Sequence, residues 1–163
     1  MSSEVRDAPV AIVGAGPTGI ACAIELSRRG VASVCLDRGS ILDSIYHFPE
    51  EMRWFSTRDL LDIAGVPFTS AEAHPTRLET LAYYRGVAER FGVRVRPETE
   101  VERIEPRPGG GVVVAAQARL GSERFDAPAA KVLVAETHAA ELRRVPKRFV
   151  RRGETANTES VPV

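Results

Sequence analysis

The sequence predicts an α/β fold in which a parallel βαβ unit is followed by a small antiparallel β-meander. Three observations predict it. A short apolar run, residues 8–13, ends at the glycine-rich hexapeptide Gly14-Ala15-Gly16-Pro17-Thr18-Gly19, as a buried parallel strand does when it turns straight into a helix. A second apolar run, residues 31–36, follows after a helix-length interval and closes on Asp37. Farther on, three strand-like runs are separated by Pro-Gly-Gly-Gly and Leu-Gly-Ser turns, the punctuation of a meander.

Each element has its own signal. Residues 17–29 place Ile20, Ala23, Ile24 and Ser27 on one helical face and turn Glu25, Arg28 and Arg29 away, and Gly30 is a fitting stop. Residues 38–58 show no clear period. They mix Tyr46, Phe48, Trp54 and Phe55 with serine and threonine, and a loop this long in a small domain usually carries function. Residues 59–64 predict a short helical turn ended by Gly65. Thr76-Arg77-Leu78-Glu79 is a capping-box signature that opens a helix ending at Gly92. Residues 93–96 alternate as a half-buried strand. The meander strands are expected at 100–105, 111–119 and 123–127, and 131–135 is one more apolar strand. The expected domain spans residues 8–135. Residues 136–163 form a divergent tail with six basic side chains, Arg143, Arg144, Lys147, Arg148, Arg151 and Arg152, and are expected to be poorly ordered.

Composition narrows the function. Acidic and basic residues balance at 22 each, so no global field points to nucleic acid or an anionic membrane. The tail lacks the interleaved aromatics of a single-strand binder. No run approaches the ~20 apolar residues of a membrane span, the N-terminus does not read as a signal peptide, and the expected location is the cytoplasm. Cys22 and Cys35 do not form a C-x-x-C pair and read as small buried thiols. No metal site is expected.

The glycine turn carries the chemistry. In a G-x-G-x-x-G turn the first glycine permits the sharp strand-to-helix corner, the second lets backbone approach a pyrophosphate, and the third lets the helix pack on the strand. Unpaired N–H groups at the helix start then face the phosphates. Asp37 lies 23 positions after Gly14, near the spacing of the carboxylate that accepts from a ribose hydroxyl. It would repel a 2′-phosphate, which leaves FAD and NAD. The unit is therefore a Rossmann-like dinucleotide-binding domain.

With these pieces in place, the sequence resembles the FAD-dependent pyridine-nucleotide disulfide oxidoreductases, thioredoxin-reductase-like flavoproteins, and within them the YpdA-like bacillithiol disulfide reductase branch. The resemblance rests on VAIVGAGPTGIACAIELSRRG, LDRGSILDSIYHFPEEMRWFST, DLLDIAGVPF and PTRLETLAYYRGVAERFGV. It implies an enzyme in which FAD takes hydride from NAD(P)H and passes electrons to a small-molecule disulfide. By the same resemblance Gly14, Ala15, Gly16, Pro17, Thr18, Gly19, Asp37 and Arg38 surround the ADP half of FAD. Ser44, Ile45, Tyr46 and Phe48 line the flavin side, and the backbone of Val101 meets the adenine. Arg77 and Tyr84 fall in the more specific second motif, as scaffold or substrate-side residues. No catalytic residue is assigned.

Two departures bear on activity. Some members carry a cysteine just before the third glycine, where this chain has Thr18, so thiol exchange at that position is excluded. No second glycine-rich turn for NAD(P)H is visible, and the last strand runs into Glu136-Thr137-His138 rather than Thr-Gly. The expectation is a truncated or frame-disrupted first half of a longer enzyme, acting as a homodimer or with a complementing chain. The alternatives are a non-catalytic FAD-binding module, an inactive remnant, or an NAD-dependent dehydrogenase.

Overall fold

In the computed structural model, which describes residues 9–121 and 123–135, the first apolar run forms β1, Val10–Val13, and the glycine turn leads into α1, Pro17–Arg28. The chain returns as β2, Ser33–Leu36, which pairs parallel with β1. β3, Val95–Arg96, adds to β2. The meander follows as β4, Thr99–Pro106, β5, Val112–Ala118, and β6, Arg124–Ala129, antiparallel in chain order. β7, Lys131–Val134, then pairs parallel with the free side of β1, giving a parallel sheet in the order β3-β2-β1-β7.

The strand period of two explains the layering. Ala11, Val13, Val34 and Leu36 project from one face of the parallel sheet into a shared core with Val101, Ile104, Val112, Val114, Ala116, Phe125 and Ala127 of the meander. Val10, Ile12 and Cys35 project from the other face, toward Ala15 and Ala23. Burial on both faces is why these strands read as continuous apolar runs. Ile20 and Ile24 of α1 bury a further core with Leu81, Tyr84, Val87 and Ala88 of α3, Arg77–Arg90.

The start of α3 bears out the capping box. Glu79 N donates to Thr76 Oγ1 at 3.2 Å, and Thr76 N donates to Glu79 Oε2 at 2.8 Å. Bonds from Thr76 backbone and side chain, then from Ser70, hold the Glu79 carboxyl below the usual carboxylate range. A folded-state value below the unfolded ~4.3 means this stabilisation is complete above that value and is lost as pH falls through the lower one. We expect Thr76→Ala to cost about 1 kcal/mol near neutral pH. In urea titrations across pH, Glu79→Gln should be the weaker protein at pH 7 and converge on the wild type below the carboxylate range.

One expectation needs correction. Residues 38–58 are not irregular throughout, because Asp43–Tyr46 forms a one-turn helix, α2. A single turn is too short for a period to be read. Its start is not a glycine or a serine but Leu42, in the left-handed region at φ 63° and almost fully buried. The Asp43 carboxylate accepts from Ser40 N at 3.1 Å and from Ser40 Oγ at 3.2 Å, which fixes that corner. The turn expected at 59–64 appears as a 3-10 turn at Arg58–Leu60, with Gly65 at φ 68°. Tyr83 and Tyr84 of α3 pin the residues around it. Tyr83 donates to Val66 O and accepts from Ile63 N, and the buried Tyr84 hydroxyl donates to Leu61 O at 2.8 Å. Tyr84 is thereby a scaffold residue. The basic tail lies outside the described residues.

Candidate nucleotide-binding cleft

The glycine turn crosses from β1 to α1 with Gly14 at φ 102°, a conformation that favours glycine. A side chain at Gly19 would begin 2.1 Å from the Gly14 carbonyl oxygen, whereas one at Gly16 would meet nothing within 4 Å. The third glycine thus serves helix–strand packing, and the second faces open space. Gly16 is the N-cap of α1, with no side-chain cap, no acidic residue in the first turn, and Pro17 at its start. The first intrahelical bond comes from Ile20 N to Gly16 O. The Thr18 and Gly19 N–H groups precede it, at the positive end of the helix.

A cleft of about 210 Å³ opens at this turn. Gly14, Gly16, Pro17, Thr18, Asp37 and Arg38 line one side, and Leu42, Asp43, Ser44, Ile45, Phe48, Trp54 and Ala135 complete it. Leu42, Ile45, Phe48 and Trp54 give it an apolar part, beside the backbone of the glycine turn and the charged Asp37, Arg38 and Asp43. Phe48 and Trp54 meet edge to face there, with ring centroids 5.9 Å apart.

The cleft gathers nine of the thirteen expected site residues. Ala15 is not among them: it is fully buried, and its N–H donates to Asp37 Oδ2 at 2.6 Å. Gly19 faces Gly14. Tyr46 is 52% exposed and turns outward, because the one-turn helix rotates it away from Ile45. Val101 lies in the core between the sheets, outside the cleft. Leu42, Asp43, Trp54 and Ala135 were not expected. Trp54 stands in the aromatic-rich segment already singled out; the other three carry no sequence signal.

Asp37 does more than face the cleft. Its second oxygen accepts from Gly39 N at 2.9 Å, so one carboxylate ties the glycine turn to the bend after β2. Each oxygen keeps a further lone pair. We expect Asp37→Ala to cost about 2 kcal/mol in thermal or urea unfolding, because it strands the N–H groups of two buried residues.

Cys35, beneath the turn, donates to Gly19 O at 3.8 Å. Burial first, and then the nearby Cys22 and Asp37, push its thiol up to about 12, and burial also raises Cys22. Neither is poised as a nucleophile at neutral pH. Among the described residues no cluster of histidine, cysteine and carboxylate side chains could hold a metal ion, and no helix is long and apolar enough to cross a membrane.

A parallel sheet with helices on one face, a meander on the other, and a glycine turn at the mouth of a cleft is the architecture of Rossmann-like flavoprotein oxidoreductases. The chain belongs to the pyridine nucleotide-disulphide oxidoreductase family, whose pattern matches residues 11–135. It is 35% identical over 79 residues to bacilliredoxin reductase Bdr of Bacillus subtilis (strain 168), covering 48% of this chain and 24% of that protein. The solved bacillithiol disulfide reductase Bdr (YpdA) from Bacillus cereus superposes with a TM-score of 0.74 and 32% identity, covering 78% of this chain and 39% of that one. A flavin-containing monooxygenase from Stenotrophomonas maltophilia gives a TM-score of 0.63 at 26% identity, over 77% of this chain and 37% of that one. The chain spans well under half the length of each.

Proposed function

We propose that the cleft holds FAD and that this chain is the flavin-binding portion of an NAD(P)H-dependent reductase of a low-molecular-weight disulfide. The observation that carries the reading is the uncapped N-terminus of α1, opening beside a glycine with room for a ligand where a side chain would otherwise stand. The residues that line the cleft suit the pyrophosphate, the adjoining ribose and part of the ring system. Thr18 and Gly19 N–H groups would hold the pyrophosphate, and Asp37 has lone pairs left for a ribose hydroxyl but no tolerance for a 2′-phosphate. Phe48 and Trp54 supply an apolar, water-excluding wall for the ring system. Arg38, which also lines the cleft, would flank the ribose.

Bound FAD would supply a two-electron acceptor between a nicotinamide and a disulfide. The protein's part is to bind and orient it. Thr18, at the mouth of the turn, offers no sulfur for a mixed disulfide, so electrons leave without thiol exchange at that position. The disulfide class comes from the relatives named bacilliredoxin reductase and bacillithiol disulfide reductase, and the two reduced cysteines suit a cytoplasmic setting. These 163 residues carry one glycine-rich dinucleotide turn, and it is assigned to the flavin cofactor, so the nicotinamide half-reaction is not assigned to residues of this span.

Purified protein titrated with FAD tests the reading. We expect flavin fluorescence to saturate at one FAD per chain, and NADPH to bleach the bound flavin once a nicotinamide-binding portion is present. Protein that is colourless and cannot be loaded with FAD overturns it.

A further inference from the structure

The aromatic wall of the cleft is built from a segment with little regular structure, so something must hold it in place. Trp54 is held through the backbone: its N–H donates to Pro75 O at 2.9 Å, and Arg53 pairs with Thr76 in an isolated antiparallel bridge. Phe48 lies on the other limb, just past the end of α2, and packs edge-on against Trp54. That limb meets the Trp54 limb through Arg77. Its Nη1 donates to Tyr46 O at 2.6 Å, its guanidinium lies 6.0 Å from the Tyr46 ring centroid, and its N–H donates to Met52 O at 3.0 Å. One residue at the start of α3 therefore grips both ends of residues 46–52, the stretch that carries Phe48. A charged donor on the last carbonyls of a helical turn is a strong and directional contact.

We propose that Arg77 is a positioning residue that sets the aromatic wall: its side chain fixes the end of α2, so that Phe48 closes over Trp54 and the cleft keeps its apolar part. Arg77 itself does not line the cleft. Its effect on FAD rests on the reading above, but its effect on the wall does not.

Trp54 is the sole tryptophan of the chain, so its emission reports the wall directly, without flavin. In FAD-free protein we expect Arg77→Met to red-shift Trp54 emission and to increase its quenching by acrylamide. Arg77→Lys, which keeps a charged donor, should restore much of both. Arg28→Met is the control, since Arg28 makes the same kind of bond, to Ala64 O at 2.6 Å, and neither residue lines the cleft. It should leave Trp54 unchanged. In the loaded protein, Arg77→Met should raise the FAD dissociation constant about tenfold, the loss expected for one charge-assisted hydrogen bond. Phe48→Leu and Arg77→Met act on one structure, so their effects on Trp54 should not add.

Trp54 emission and quenching unaltered in Arg77→Met, equal changes in Arg28→Met, or additive effects with Phe48→Leu would each overturn the proposal. If Arg77→Met does not fold, Arg77→Gln takes its place with the same readouts. Wild-type protein that binds no FAD sinks the flavin reading alone, because the Trp54 measurements still decide the clamp.

Discussion

Gly19→Ala is expected to be the most damaging single-methyl substitution in the glycine turn. The new Cβ would sit 2.1 Å from the Gly14 carbonyl oxygen and 3.1 Å from its carbon. Those are backbone atoms of the β1–α1 corner and cannot rotate away as a side-chain tip would. α1 would have to lift from β1, opening the contacts of Ile20, Ala23 and Ile24, all buried in the helix-side cores. Overpacking of this kind costs about 3 kcal/mol, which lowers the melting temperature by about 10 °C in a protein of this size. Differential scanning calorimetry of the FAD-free variant checks it. A melting temperature within a degree or two of the wild type would show that the corner yields more easily than its geometry allows.

Gly16→Val should give the opposite pattern. Nothing lies within 4 Å of a Cβ at that position, so folding tolerates the substitution, and replacing the N-cap glycine lowers the melting temperature of FAD-free protein by only about 3 °C. Valine would fill the space beside the Thr18 and Gly19 N–H groups, where a pyrophosphate has to come. Loss of two charge-assisted hydrogen bonds corresponds to about a hundredfold weaker FAD, read by flavin fluorescence titration. Together the two variants separate the third glycine, which serves packing, from the second, to which the proposed reading gives a role in binding. Should Gly16→Val bind FAD as the wild type does, the pyrophosphate does not sit at this turn.

The difference between these glycines was legible in the sequence, because a G-x-G-x-x-G turn between a strand and a helix leaves each glycine one steric task. The parallel strands, α1, the capping box at Thr76 and the meander were legible for the same reason, since period and punctuation both depend on local geometry. The far wall of the cleft was not. Leu42 adopts positive φ without being glycine or asparagine, and α2 is too short to express a period. Tyr46 and Ile45 are adjacent in the aromatic-rich segment, yet only Ile45 reaches the cleft. Asp37 was read for its spacing, and no spacing rule could show that both of its oxygens also hold backbone N–H groups. Ala135 reaches the cleft because β7 joins β1, a long-range pairing that no local pattern encodes.

That last pairing also orders events in time. β1 and β2 are joined by a short crossover, but β1 meets β7 only after roughly 120 intervening residues have been made. Closing so large a loop is entropically slow, and parallel pairing of distant strands forms late. During synthesis the first glycine turn therefore emerges long before its sheet is complete, with one side of β1 unpaired until residues 131–134 arrive. A nascent chain has its glycine-turn corner early and its finished cleft last, so acquisition of the proposed cofactor would mark the end of folding rather than its beginning.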